Sequence, residues 1–194
     1  AVQAGAGAAS GFADEDYAQA GATIADTARA VVDNADVVLR VRRPAAEEIA
    51  GVRPGAAIVS IVDPFGSEKA LADLANTGAV VFAMEFMPRI TRAQSMDVLS
   101  SQANIAGYRA VVDAAAEYGR AIPMMMTAAG TVPAAKVFVM GVGVAGLQAI
   151  ATARRLGAIV SATDVRPATK EQVESLGAKF IAVENEEFRQ AETA

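Results

Sequence analysis

Lys136 to Asp164 reads KVFVMGVGVAGLQAIATARRLGAIVSATD, and this stretch decides the fold. A short apolar run with high strand propensity, Val137-Phe138-Val139-Met140, enters Gly141-Val142-Gly143-Val144-Ala145-Gly146 directly. A helix-forming segment follows from about Val144 to Leu156, Gly157 closes it, and a second apolar run ends on Asp164. A bare GxGxxG is weak, because glycine-rich turns are common. Its meaning comes from context: a strand before, a helix after, and an acid eighteen residues beyond the last glycine. Gly141 permits the tight turn, Gly143 lets the backbone approach a pyrophosphate, and Gly146 lets helix and strand pack closely. The free N–H groups and positive dipole end of the helix that opens at Val144 then face the phosphates. Asp164 is placed to accept hydrogen bonds from the adenine ribose hydroxyls. It would repel a 2′-phosphate, so the pattern predicts NAD(H) over NADP(H). The plainer alternative is a glycine turn in an ordinary βαβ unit.

Composition fits an α/β enzyme domain. Of 194 residues, 53% are hydrophobic, much of it alanine and valine, and the mean hydropathy is +0.31. That length suits one large or two small domains. With no cysteine, neither a disulfide nor a thiolate nucleophile is available, and with no histidine the commonest general acid/base and metal ligand is missing. No metal site is expected. The net charge is −5 and the pI near 4.8, with no basic cluster to meet nucleic acid. No apolar run reaches the roughly 18–20 residues that span a bilayer, so no direct membrane insertion is expected.

Working outward, residues 1–100 read as an N-terminal α/β portion. Ala1-Val2 looks like the tail of a strand. Gly5, Gly7 and Gly11 mark a loop, and Asp14 to Ala20 a short helix. Strands are predicted at Ala35–Val41, Ala56–Val62 and Ala79–Met84. Ser67 is the expected N-cap of a helix running to about Ala75, with Gly78 beyond it. Strands separated by helices and lacking polar alternation imply a parallel sheet covered on both faces. From Arg92 to Arg120 the chain reads as one long helix, with Ala103, Ala106, Ala110 and Ala114 forming a stripe for close helix approach. Residues 101–133 therefore serve as linking helix and connector, and Pro123 bars extension. Met124-Met125-Met126 reads as flexible core filler.

Residues 134–194 form the dinucleotide unit. Past Asp164, Pro167 starts a turn and Thr169 begins a helix, with Gln172 at capping-box spacing. Gly177 ends that helix, Lys179 to Val183 form a third strand, and Glu184 to Ala194 look like the start of a solvated helix. A doubly wound fold uses two βαβαβ halves, and only the first is expected here. The chain thus reads as a fragment of a longer protein, incomplete in both domains.

A second concentration of polar residues, Arg89-Ile90-Thr91-Arg92-Ala93-Gln94-Ser95-Met96-Asp97, joins the third upstream strand to the long helix. Its place at a sheet's C-terminal edge suits a ligand, and a solvated loop with Asp97 in a helix's first turn suits it equally. Arg40, Arg42 and Arg43 could bind an anion or be exposed strand-end charges. Glu47-Glu48 and Glu184 to Glu187 read as solvated faces.

The wording of MPRITRAQSMDVLSSQANIAGYRAV, and of PMMMTAAGTVPAAKVFVMGVGVAGLQAIATARRLGAIVSATDVRPATKEQVESLGAKF, resembles the NAD(H)-binding alpha subunits of proton-translocating nicotinamide nucleotide transhydrogenases. GAGAASGFADEDYAQAGATI resembles those subunits and their relatives, the alanine dehydrogenases. The resemblance implies two Rossmann-like parallel-sheet domains joined by the long helix, with NAD(H) in the cleft between them. It implies a homodimer docked on a separate NADP(H)-binding component attached to a membrane domain. The chain would then lie peripherally at the cytoplasmic face of the inner or plasma membrane. It also implies roles: Arg89, Asp97 and Ser100 hold the nicotinamide end of NAD(H), and Gln94 reaches toward the nicotinamide riboses. The candidate catalytic set is thus Gln94, Arg89 and Asp97. The cofactor-binding set is Gly141, Gly143, Val144, Gly146 and Asp164, with Arg89, Asp97 and Ser100.

The competing enzyme is a soluble dehydrogenase of the alanine dehydrogenase type, which needs a proton donor and a cation for the substrate carboxylate. In that group a lysine follows the strand matching Val37–Val41 and a histidine follows the next. Here those places read Arg40-Val41-Arg42-Arg43-Pro44 and Ile61-Val62-Asp63-Pro64-Phe65, with no histidine anywhere. A nucleotide-sensing module is a third reading, disfavoured by the loop from Arg89 to Asp97.

Overall fold

Short strands and helices alternate along the chain in a computed structural model that describes residues 1–182. They divide into two compact units, Ala1–Asp97 and Val98–Ala194.

In the first unit, β1 (Val2–Gln3) lies parallel to β2 (Ile24–Ala25), with α1 (Asp14–Gln19) between them in sequence. Thr27 caps α2 (Ala28–Val32), its hydroxyl accepting from the Ala30 N–H at 3.2 Å. A parallel sheet follows, in the order β3 (Val37–Arg42), β4 (Ala57–Ile61), β5 (Val80–Ala83). It is parallel because β4 and β5 are joined by α3 (Glu68–Ala75), a crossover that a hairpin cannot provide. One face buries Val38 and Ile58 with Val32, Ile49, Val52, Ala56 and Leu74. Fully buried side chains such as Ile58 and Leu74 each contribute about 1.5–3 kcal/mol.

The second unit begins with α4 (Val98–Glu117) and a small antiparallel hairpin, β6 (Met125–Thr127) and β7 (Gly130–Val132). A second parallel sheet runs in the order β10 (Lys179–Phe180), β9 (Ile159–Thr163), β8 (Lys136–Met140). α5 (Val144–Arg155) and α6 (Thr169–Ser175) are its crossovers. Its core gathers Val142, Ile150, Ala153, Ala158, Val160, Ala162, Val173 and Ala178. α4 packs on α5, and at Gly107 the approach is so close that any Cβ would overlap the Ala145 carbonyl oxygen. Asn104 ties the same pair of helices by donating to the Gln148 side-chain carbonyl at 3.3 Å.

Several expectations need correction. The single helix from Arg92 to Arg120 is two elements: a 3-10 turn, Thr91–Met96, then α4. Asp97 breaks them with an extended ψ of 86°, so it precedes the long helix and is not in its first turn. Close helix approach is made by Gly107, while Ala106, Ala110 and Ala114 are exposed. The smallest residue, not the alanine stripe, sets the approach. Met124, Met125 and Met126 are exposed at the hairpin and fill no core here. Ser67 stands at the N-cap of α3 but makes no side-chain cap. The Thr169–Gln172 capping box does not form either: Thr169 is already helical and buried, and its hydroxyl donates to the Arg166 carbonyl at 2.8 Å. β2 and α2 were not anticipated. Val183 and the helix expected over Glu184 to Ala194 lie outside the described residues.

Candidate functional site

The end of β8 shows why each glycine stands where it does. Gly141 has φ +90°, in the left-handed region that a β-carbon disfavours, and its N–H donates to the Thr163 carbonyl at 2.9 Å. Gly143 is the N-cap of α5 in extended backbone, and a Cβ added there would meet open space. Gly146 is the reverse case: a Cβ would overlap the Gly141 carbonyl oxygen. One glycine turns the chain, one keeps a surface low, and one allows helix and strand to touch. Val144 opens α5, and its N–H is among the first-turn donors that have no partner within the helix. A low surface facing unsatisfied amides and the positive end of a helix dipole suits an anion.

Asp164 follows β9 and faces this turn. Its carboxylate accepts from the Val142 N–H (2.7 Å), the Arg166 N–H (2.9 Å), Arg166 Nε (2.9 Å) and Arg166 Nη2 (3.1 Å). The carboxylate is 5% exposed and the guanidinium 32%. The Arg166 guanidinium holds the Asp164 carboxyl far below the ordinary carboxylate range, overcoming burial, and the Val142 and Arg166 amides add to it. Arg166 is correspondingly raised by Asp164. Asp164 is therefore a permanent anion at any physiological pH. Arg166 was missed in the sequence, although a cation two residues past a Rossmann-type acid is a legible signal.

The other candidates lie apart along the chain. Arg89 and Gln94 are exposed residues of the first unit, in and just before the turn Thr91–Met96, which Ala93 anchors by burial. Asp97 ends that unit, and Ser100 sits in the first turn of α4 in the second. Arg40 and Arg43 are not presented as an anion site. Arg40 pairs with Glu48 at 3.1 Å, and Arg43 Nη1 donates to the carbonyls of Val62 (2.5 Å) and Asp63 (3.0 Å). Glu48 is likewise no idle solvated charge: it accepts from the Ala45 N–H at 2.9 Å, which with Arg40 lowers its carboxyl. Glu85 was also missed, and its Oε1 accepts from the Val62 (2.8 Å) and Asp63 (2.5 Å) amides. No cluster of metal-ligating side chains exists among the described residues, and no described helix is long and apolar enough to cross a membrane.

A strand, a glycine turn, a helix and an acid on the neighbouring strand, repeated over parallel strands, define a Rossmann-like α/β protein. Within that class the chain belongs to the alanine dehydrogenase/PNT family: residues 1–106 match its N-terminal domain and residues 110–194 its C-terminal domain. The first of the polypeptides that make up the NAD(P) transhydrogenase alpha subunit of Rhodospirillum rubrum is 56% identical over all of this chain and 52% of its own length. The crystal structure of a transhydrogenase from Sinorhizobium meliloti superposes with a TM-score of 0.88 at 69% identity, over 93% of this chain and 54% of that one. Alanine dehydrogenases are more distant: that of Halomonas elongata is 31% identical over 84% of this chain and 44% of its own length. The chain spans about half the length of the curated relatives it matches.

Proposed function

We propose that the chain belongs to the NAD(H)-binding component of a proton-translocating transhydrogenase. The observation that carries this reading is the Gly143 surface with the Asp164 anion beside it, in a chain 56% identical to a transhydrogenase alpha subunit. Bound NAD(H) would supply one nicotinamide ring for direct hydride exchange with NADP(H) on a partner component.

The chain's own residues do the positioning. Gly143 admits the pyrophosphate, and the amides opening α5 meet its charge. Asp164 accepts from the adenine ribose and disfavours a 2′-phosphate. Arg89, Asp97 and Ser100 hold the nicotinamide end, and Gln94 reaches toward the riboses. No proton donor is needed, which agrees with a chain lacking histidine. Holding the reacting groups in register is the main contribution. The whole protein is a homodimer on NADP(H)-binding and membrane subunits, peripheral at the cytoplasmic face of the inner or plasma membrane. An alanine dehydrogenase function is disfavoured by the missing histidine and by Arg43, which is engaged by Val62 and Asp63 carbonyls.

The test is hydride exchange between the two nucleotides by the full-length protein mixed with its NADP(H)-binding partner, followed spectrophotometrically. Exchange is expected, with NADH bound far better than NADPH. Robust NAD-dependent oxidation of L-alanine would move the assignment to the dehydrogenase. Gln94→Asn is expected to keep NADH affinity within a few-fold while exchange falls by about one to three orders of magnitude, as for groups that act mainly in the transition state. Equal losses of binding and rate would make Gln94 an ordinary binding residue.

A further inference from the structure

The Asp164 carboxylate has its hydrogen-bonding capacity filled. A carboxylate offers about four lone-pair positions, and four donors reach this one, two on each oxygen. Two of the four are backbone amides that cannot leave without unmaking the turn: Val142 N–H on Oδ2 and Arg166 N–H on Oδ1. The other two are the parallel prongs of the Arg166 side chain, Nε on Oδ1 and Nη2 on Oδ2. Removing the guanidinium frees one position on each oxygen. A vicinal diol offers two O–H donors side by side, the demand that the adenine ribose makes of such an acid.

We propose that Arg166 occupies the ribose position of Asp164 in the free protein and is exchanged for the adenine ribose diol when the nucleotide binds. The inference rests on the dinucleotide reading of this turn. The exchange is chemically balanced: two N–H donors leave the carboxylate and two O–H donors replace them, with the backbone amides holding the carboxylate in place. Two consequences follow. Nucleotide binding works against an existing ion pair, so Arg166 weakens NADH affinity. The displaced guanidinium also remains on the residue two positions past the acid, beside the ribose. There it offsets some of the repulsion that Asp164 exerts on a 2′-phosphate. Arg166 is thus a specificity-setting residue that opposes Asp164.

The test uses the full-length protein and two readouts. In 1H–15N spectra, AMP at saturation is expected to shift the Arg166 Nε resonance, assigned by its loss in Arg166→Lys, together with the Gly141 and Gly143 amides. In isothermal titration, Arg166→Leu is expected to bind NADH about three- to fivefold more tightly, the scale of one partly exposed ion pair. Its preference for NADH over NADPH is expected to widen by about tenfold. Arg166→Lys, which keeps the charge and loses the fork, is expected to fall between the two. Glycine amides that move while Nε stays still, or an Arg166→Leu protein that binds NADH more weakly, would overturn the exchange alone. Glycine amides unmoved by both AMP and NADH would overturn the dinucleotide reading, and the exchange with it.

Discussion

The two units solve one structural problem in opposite ways. Each builds a three-stranded parallel sheet, and in each an acid past the end of one strand accepts backbone amides from the segment after its neighbour. In the first unit Glu85, after β5, takes the Val62 and Asp63 amides that follow β4. In the second, Asp164, after β9, takes the Val142 amide that follows β8. The difference lies in what surrounds the acid. After β4 the chain is plugged: Arg43 covers the carbonyls of Val62 and Asp63, and Glu85 covers their amides. Asp63 adopts a φ of +48° within this plug, a conformation that aspartate tolerates better than most residues. After β8 the chain is glycine, a helix opens at once, and the space above Gly143 is clear. The same strand-end chemistry closes one edge and leaves the other ready for an anion.

Glycines give the largest effects and the sharpest test of that contrast. Gly143→Val is expected to abolish NADH binding while folding stability stays within about 0.5 kcal/mol, because its backbone is extended and its Cβ enters open space. Gly146→Ala is expected to cost about 1–3 kcal/mol of stability, since the methyl overlaps the Gly141 carbonyl and strand and helix must separate. Urea unfolding and NADH titration on both variants separate the roles. A Gly143→Val protein that binds NADH normally would show that the open surface is not the ligand's.

The plug in the first unit gives a middling effect. Glu85→Ala is expected to lose about 1–3 kcal/mol, because it leaves the Val62 and Asp63 amides without their acceptor. Glu85→Gln keeps a carbonyl oxygen at that place and is expected to recover most of the loss. Equal destabilisation by alanine and glutamine would mean that the carboxylate's charge, not its acceptance of these amides, holds the strand end.

The contrast was only half visible in the sequence. The open edge is legible because it is local: the glycines, the helix and the acid lie within one stretch and their spacing is fixed by strand and helix geometry. The plug is not, because Arg43, Val62 and Glu85 are about twenty residues apart in sequence and meet only once the parallel sheet has formed. Each alone reads as an exposed strand-end charge. The break at Asp97 was hidden for a related reason. Helix propensity across Arg92 to Met96 is good, and the 3-10 geometry there follows the burial of Ala93, a tertiary demand. Arg166 was within reach of a local reading, but its pairing with Asp164 required knowing that the backbone turns back over two residues.

The smallest effect concerns the charge that distinguishes the open edge, and its sign can be worked out. Asp164 has a folded-state pKa depressed below the ordinary aspartate value of about 3.9 by Arg166 and the flanking amides. A depressed acid contributes stability that is present in full above its unfolded-state pKa and is lost as pH falls through the folded one. The stability difference between the unaltered protein and Asp164→Asn is therefore expected to hold constant from about pH 8 to pH 5 and to shrink steadily below about pH 4. With no histidine in the chain, no side chain with an ordinary pKa between about 5 and 8 interferes with that plateau. Denaturant titrations of both proteins at a series of pH values check this directly. A difference that declines between pH 7 and pH 5 would show that the Asp164 carboxyl takes up a proton while Arg166 is still beside it, and the fork would then not hold the carboxylate as the structure has it.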